Sequence, residues 1–299
     1  MALARYLPRP WKLAIKARLA QARAWYATRF RSYGPAQLKQ TLVKLGIRPG
    51  DAVMLHSAFA PEHGFRGSIG DLIDTFTDTV GPQGHLMMVS LPYRSASIDW
   101  LNSGKRFDVR KTPSMMGMVS EVFRRRPGVR RSLHPTHPVL VQGPDAERMT
   151  AAHPDQVHPC GPGTPFEALA QADGVIVFFN VDIAVVTFFH YLEHLVHHTL
   201  PFGLYTDEVY EVTVTDAEGQ ARTVRTHAFS REAIKRRLPN RLYDEMRAKG
   251  MLHTRRIGAS VVLAVRARDF IATTLDLHQR GRPIYDLEGT APVSPPAAP

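Results

Sequence analysis

From about residue 37 onward the chain alternates short apolar runs with amphipathic segments, and Gly/Pro turns punctuate the alternation. Few folds accept that pattern. Leu38–Leu45 has helical periodicity, Gly46-Ile47-Arg48-Pro49-Gly50-Asp51 reads as a turn, and Ala52–Leu55 as a short strand. Ile69–Val80 is an amphipathic helix with acids toward its N-terminal end, and Gly81-Pro82-Gln83-Gly84 breaks the chain before a second strand, His85–Ser90. Val119–Arg126, Pro165–Gln171 and Asp269–Gln279 continue as helices, and Val139–Gln142, Val175–Phe179 and Ile257–Val265 as strands. Such alternation predicts an α/β protein with helices on the faces of a sheet. Val209–Val214 and Ala221–Thr226 flank Asp216-Ala217-Glu218-Gly219, which predicts a β-hairpin insertion and therefore antiparallel pairing. Asn180, Asp182 and His190 interrupt the apolar stretch after Val175–Phe179 and exclude a membrane span there. With no repeat and no linker, one domain is expected over residues 34–285. A basic helix (1–33) precedes it, and a Pro/Ala-rich tail (286–299), expected to be disordered, follows.

Charge adds a second constraint once it is located. The net charge is +11, but residues 1–50 hold eleven Lys or Arg and no acid, and the other 27 basic residues are matched by 27 acidic ones. A neutral body with a basic end does not describe a nucleic-acid-binding domain; it suits an anionic surface or partner. Within that end Trp11, Ile15, Leu19, Ala22, Tyr26 and Phe30 recur every three or four residues, an apolar stripe on a basic helix. Docking on the protein's own body or on a second subunit, as in a homodimer, is the first expectation for this stripe, and peripheral membrane contact the second. The segment also has the acid-poor, Arg-rich character of a transit peptide, although Ser32 is its only serine in forty residues. No signal-peptide hydrophobic stretch follows the basic start, and the single cysteine, Cys160, excludes an internal disulfide. A cytoplasmic protein, at most membrane-peripheral, is expected.

Chemistry-bearing residues concentrate in Thr187-Phe188-Phe189-His190-Tyr191-Leu192-Glu193-His194. On a helix His190 and Glu193 are neighbours on one face. A carboxylate beside an imidazole raises its basicity and fixes its orientation, which suits a general base that deprotonates an attacking amine. Thr187, one turn earlier, can offer a hydroxyl. The bland alternative is a surface helix with a His–Glu pair. A sharper rival is the inverted zinc-peptidase pattern His190-x-x-Glu193-His194, with further imidazoles at His197 and His198. Arg124, Arg125, Arg126, Arg130 and Arg131 surround Pro127-Gly128 and can bind phosphates or form a solvated charge run. Cys160, in the loop His158-Pro159-Cys160-Gly161-Pro162-Gly163, invites an acyl-cysteine reading, against the commoner case of an unreactive thiol.

Five segments, taken in order, resemble the aminoglycoside 3-N-acetyltransferase family, which is distinct from the GNAT acetyltransferases. They are Gly50-Asp51-Ala52-Val53-Met54-Leu55-His56-Ser57; Phe107-Asp108 with Thr112-Pro113-Ser114-Met115-Met116-Gly117; Pro127-Gly128-Val129-Arg130-Arg131-Ser132-Leu133-His134-Pro135; Gly161-Pro162-Gly163-Thr164-Pro165; and Thr187 through Glu193. The resemblance implies a three-layer α/β/α sandwich with a mixed central sheet. It also implies acetyl-coenzyme A as donor, an aminoglycoside or related amino sugar as acceptor, and direct transfer without a metal or an acyl-enzyme. It makes His190 the base and Glu193 its orienting carboxylate, with Thr187 and His134 in the catalytic set. Ser57, Met116, Gly117, Arg130, Arg131 and Ser132 become cofactor contacts, with the arginine turn and the Ser57 region holding one coenzyme A arm. Glu193, Asp207, Glu208 and Glu211 could line an acidic cleft for a cationic acceptor. Ala58 and Pro138 stand where relatives carry serine, and Phe178-Phe179-Asn180-Val181 replaces a glycine-containing run. These departures leave two alternatives open: an amino sugar linked to a nucleotide or polysaccharide as acceptor, or a scaffold protein that lost catalysis.

Overall fold

The structure is a computed structural model and describes residues 9–288. In chain order the elements are α1 (Arg9–Phe30), α2 (Pro35–Lys44), β1 (Ala52–Ser57), α3 (Ile69–Val80), β2 (His85–Val89), α4 (Ser97–Asn102), β3 (Phe107–Asp108), α5 (Met118–Arg124), β4 (Arg130–Arg131), β5 (Val139–Gln142), α6 (Ala146–Ala151), α7 (Pro165–Gln171) and β6 (Val175–Phe179). There follow α8 (Phe189–Val196), β7 (Tyr210–Thr215), β8 (Ala221–Thr226), α9 (Arg231–Arg236), α10 (Pro239–Ala248), β9 (His253–Ile257), β10 (Ser260–Arg266) and α11 (Ala267–Gln279).

Seven strands form a mixed sheet in the order β4-β5-β2-β1-β6-β10-β9. The central β2, β1 and β6 run parallel, and the flanking strands pair antiparallel. Strand periodicity sorts the core. Val53, Leu55, Val175, Val177 and Phe179 face a cluster shared with α2, α3 and α5, through Leu38, Leu42, Phe76 and Phe123. Met54, Met87, Ile176 and Phe178 face the opposite cluster, shared with α7, α8, α10 and α11 through Phe166, Leu192, Met246 and Phe270. Both faces are thus covered, as near-continuous apolar strands require. Local signals set the helix starts: Ser68 accepts from the Asp71 amide while Asp71 accepts from the Ser68 amide at α3, and Thr164 caps α7 with Pro165 following.

β7 and β8 form a hairpin that lies outside the main sheet, in a three-stranded sheet with β3. One sequence expectation is corrected. Ile257–Val265 is not one strand: Gly258 and Ala259 make a turn, and β9 and β10 pair antiparallel across it. Gly258 adopts φ +54°, and a Cβ there would lie 2.1 Å from the Arg31 carbonyl oxygen, so the turn also seats the end of α1. Asn180, at φ +58°, ends β6 by bonding Ser260 Oγ and accepting from the Val261 amide.

The basic helix α1 meets the body along its C-terminal half, where Leu19, Ala22, Arg23, Tyr26 and Ala27 line a groove with Glu62 and Ala259. Ala27 is buried, but Trp11, Ile15, Leu19, Tyr26 and Phe30 are exposed, which corrects the first expectation that the stripe packs on the protein's own body. Among the described residues no helix is long and apolar enough to cross a membrane. Of the tail expected over 286–299, residues 289–299 lie outside the described residues, while the Asp286 and Glu288 carbonyls accept from Arg236, so the expected disorder does not begin at 286.

Candidate active site

Helix α8 carries His190 and Glu193 on one face, and the His190 Nδ1 lies 2.7 Å from Glu193 Oε2. Glu193 is fully buried, yet both its oxygens are satisfied. Arg237, at the end of α9, brings Nε to 2.5 Å from Oε1 and Nη2 to 2.9 Å from Oε2, and the Tyr285 hydroxyl also donates to Oε1. Burial pushes the Glu193 carboxyl up, but Arg237 and His190 outweigh it and hold the group below the usual carboxylate range. The same carboxylate overcomes the burial of Arg237 and raises that guanidinium. For His190 burial is the largest influence and lowers it; Glu193 pulls the other way, Arg237 lowers it further, and the net is a depressed imidazole. Glu193 does act on His190 in the expected direction, but burial outweighs it and Arg237 adds to the burial, so the imidazole ends below its ordinary value. An ionised carboxylate can only accept, so Nδ1 carries the hydrogen toward Glu193 and Nε2 is left as a free base at neutral pH.

Two cavities with two wall residues in common lie near this pair. One, about 260 Å³, lies at the carboxyl ends of β1 and β2, with Leu55, His56, Ser57, Met88, Val89, Met115, Met116, Ser120, Val181, Val185 and Thr187 on its walls. The carboxyl ends of parallel strands are where open α/β sheets bind ligands. The other, about 200 Å³, is lined by His190, Arg237 and Tyr243 together with Val185 and Thr187. Thr187 and Val185 belong to both. Thr187 sits in the turn before α8 rather than in its first turn, and its carbonyl accepts from the His190 amide at 3.0 Å. Gly117, at φ +113°, starts α5 next to Met116, and a side chain there would meet open space.

The remaining sequence candidates lie elsewhere. Arg130, Arg131 and Ser132 line a separate cavity of about 580 Å³ with Arg110, Arg124, Glu147 and Arg222, so they do not share a wall with Ser57 and Met116 as expected. Most of the arginines in the cluster are already engaged: Arg124 and Arg125 on Glu121, Arg126 on Asp74, and Arg130 on Glu147. Arg131 is buried, donates to the carbonyls of Val109, Thr112 and Ser90, and stacks over Phe107. Ser132 accepts from the Val139 amide and bonds His153 Nδ1. His134 is fully buried, accepts at Nδ1 from the His137 amide at 3.2 Å and stacks on His153; it holds the loop that precedes β5, and no hydrogen bond joins it to His190 among the described residues.

Other readings fare differently. Cys160 is fully buried, and burial, with Glu193 adding to it, pushes its thiol well up, so the thiolate that acyl-cysteine chemistry needs is suppressed. Glu193 cannot activate water as in the zinc pattern, because Arg237, Tyr285 and His190 consume its oxygens. His194 turns to Tyr205 and His197. Among the described residues no group of three or more His, Cys, Asp or Glu is placed to hold a metal ion. Of the acids expected in a cleft, Glu193 is clamped and Glu211 faces Arg225; neither they nor Asp207 and Glu208 line the two cavities at Thr187.

Sequence reasoning missed Arg237, Tyr285, His137 and Phe229. Phe229 packs on His190 at 4.6 Å and lies under Arg237, and His137 meets His190 edge-on at 5.4 Å. No local signal marks Arg237 within the run Lys235-Arg236-Arg237, where only the middle residue has a helical partner, Glu232.

A mixed sheet with a cavity at its parallel carboxyl ends, beside a buried imidazole–carboxylate–guanidinium chain, defines the class of this chain as an α/β protein. A family profile described as aminoglycoside 3-N-acetyltransferase matches residues 54–278, and the chain belongs to that family. It is 28% identical over 168 residues to aminoglycoside N(3)-acetyltransferase III from Salmonella sp, covering 52% of this chain and 58% of that protein. It is 29% identical over 184 residues to aminoglycoside N(3)-acetyltransferase VII from Streptomyces paromomycinus, covering 55% and 62%. The chain thus spans about three-fifths of the length of these curated relatives. Similar folds are those of sisomicin-bound AAC-VIa (TM-score 0.69, 21% identity, 84% of this chain and 99% of that one) and of AAC-IIIb with CoASH (TM-score 0.67, 22% identity, 85% and 99%).

Proposed function

We propose that this chain is an acetyl-coenzyme A-dependent N-acetyltransferase acting on an amino group of an aminoglycoside or related amino sugar, by direct transfer with His190 as general base. The observation that carries this reading is that Thr187 belongs both to the cavity holding Ser57 and Met116 and to the cavity holding His190. A donor and an acceptor can therefore meet at one residue, and such positioning supplies a large part of the rate of a two-substrate reaction.

The Ser57 cavity suits a pantetheine chain: Met88, Val89, Met115, Met116 and Val185 offer apolar walls, and Ser57 and Thr187 offer hydroxyls to its amides. When bound, the acetyl thioester supplies the electrophilic carbonyl. The acceptor nitrogen bonds the acetyl carbon while Nε2 of His190 takes its proton, the C–S bond then breaks, and coenzyme A leaves as the thiol on receiving that proton. Nδ1–H, held by Glu193, fixes the ring throughout. Arg237 and Tyr285 keep Glu193 ionised and still. In this reading the Thr187 hydroxyl, on a wall common to both cavities, donates to developing negative charge on oxygen, an effect worth about 3 kcal/mol per donor where it operates. Arg130, Arg131 and Ser132 line another cavity and are left out of the reacting centre in this reading, and His134 is assigned a supporting place behind His137.

Incubation with acetyl-coenzyme A and a panel of aminoglycosides and amino sugars, with thiol release as readout, tests the proposal. Acceptor-dependent release that yields the N-acetyl product supports it. No release with any amine would favour a binding protein that kept the fold.

A further inference from the structure

We infer that α1 is an interfacial anchor that lies on an anionic lipid bilayer. The helix is 22 residues long, about 33 Å at 1.5 Å per residue, and holds Arg9, Lys12, Lys16, Arg18, Arg23 and Arg29 with no acid. Its apolar side chains are turned to solvent: Trp11 is 64% exposed, Trp25 65% and Phe30 62%, and Leu19, Ile15 and Tyr26 are exposed as well. Trp11, Ile15, Leu19, Tyr26 and Phe30 fall within one arc of the helix, and large aromatic groups without cover on a folded protein mark a contact surface. Arg18 and Arg29 border that arc, where their long stems let the charged ends reach head groups while the rings enter the acyl boundary.

Charge selects the occupant. Two copies of α1 packed on each other would bring together two basic helices with no carboxylate in either, and the body is formally neutral, with Glu62 the acid that lines the groove beside Leu19, Arg23 and Tyr26. An anionic bilayer supplies both the counter-charge and the apolar phase. The helix is too polar to span. Its end is fixed to the body: Ala27 is buried, the Ala259 amide donates to the Arg31 carbonyl, and the Tyr33 hydroxyl donates to Ser260. Adsorption of α1 would therefore hold the whole catalytic body at the surface.

The full chain is mixed with vesicles of phosphatidylcholine alone or with about one-third phosphatidylglycerol, and sedimentation is read together with tryptophan emission. Two of the three tryptophans lie in α1, and the third, Trp100, is buried, so a blue shift on binding reports on α1. The expected result is binding at least about a hundredfold tighter to the anionic vesicles, weakened by salt, with a blue shift. Trp11→Ser with Trp25→Ser, and separately Arg18→Glu with Arg23→Glu, should each lower that binding by at least about tenfold and leave circular dichroism unchanged. Equal or no binding to the two vesicle types overturns the inference. So does a concentration-dependent dimer that the tryptophan variant abolishes, or equally tight binding to duplex DNA without a blue shift.

Discussion

Arg237 closes on both carboxylate oxygens of Glu193 from 44 positions away, with Nε and Nη2 at 2.5 and 2.9 Å. That bidentate contact neutralises a carboxylate that has no exposure to solvent. Removing the guanidinium strands a buried charge. Arg237→Met should therefore cost about 3–5 kcal/mol of folding stability in urea titration, more than a surface arginine could. A loss under about 1 kcal/mol would show that the clamp does not hold in solution.

His190→Ala should reduce turnover by about two to four orders of magnitude with the fold retained. The wild-type rate should be flat across neutral pH and fall only on the acid side, with an apparent pKa under the ordinary 6.5, because burial depresses the imidazole. A limb above 6.5 in the kcat profile would assign the proton transfer to another group.

Acid should unfold the protein through its buried histidines. Burial lowers His56, His153 and His194 from 6.5 to about 4. Between those values the unfolded chain binds protons that the folded chain refuses, so stability is complete above 6.5 and is lost progressively as pH falls toward 4. Thermal melts from pH 7.5 to 4.5 should show a falling Tm; a constant Tm over that range would mean that these rings are already protonated in the fold or are open to water.

Cys160→Ala should leave turnover within about twofold of wild type, because a buried thiol pushed up by its surroundings is no nucleophile. Alkylation of the native protein by iodoacetamide should be slow for the same reason. An inactive but folded variant would revive the acyl-cysteine route.

Gly258→Ala should destabilise the protein by about 1–3 kcal/mol, because the residue needs φ +54° and its Cβ would meet the Arg31 carbonyl at 2.1 Å. A chemical melt reads it. An unchanged midpoint would mean that the β9–β10 turn and the end of α1 can separate freely.

Much of the framework was legible because it is written in local pattern. Ile69–Val80 and Pro165–Gln171 begin at capping residues that the sequence displays, and Val175–Phe179 is bounded by Gly174 and by Asn180 in a left-handed conformation. The His190–Glu193 pair was legible for the same reason, since spacing along one helix places the two groups together. Ile257–Val265 was misread because Gly258-Ala259 is shorter than the turn signals elsewhere in the chain, and apolar residues continue on its far side. The arginine cluster misled because charge density in sequence does not reveal that Glu121, Asp74 and Glu147 already answer it.

Periodicity, caps and turns determined the α/β class, the apolar faces of the strands and the presence of a base–carboxylate pair, because each depends on residues within a turn or two of one another. Only the tertiary structure decided that Arg237 and Tyr285 hold Glu193, that burial outweighs Glu193 at His190, and that Arg131 donates to backbone carbonyls while Ser57 and Met116 share a cavity with Thr187. Those outcomes depend on strand order and on which crossover returns to which face, and they join residues 44, 92 and more positions apart for which no local spacing rule exists.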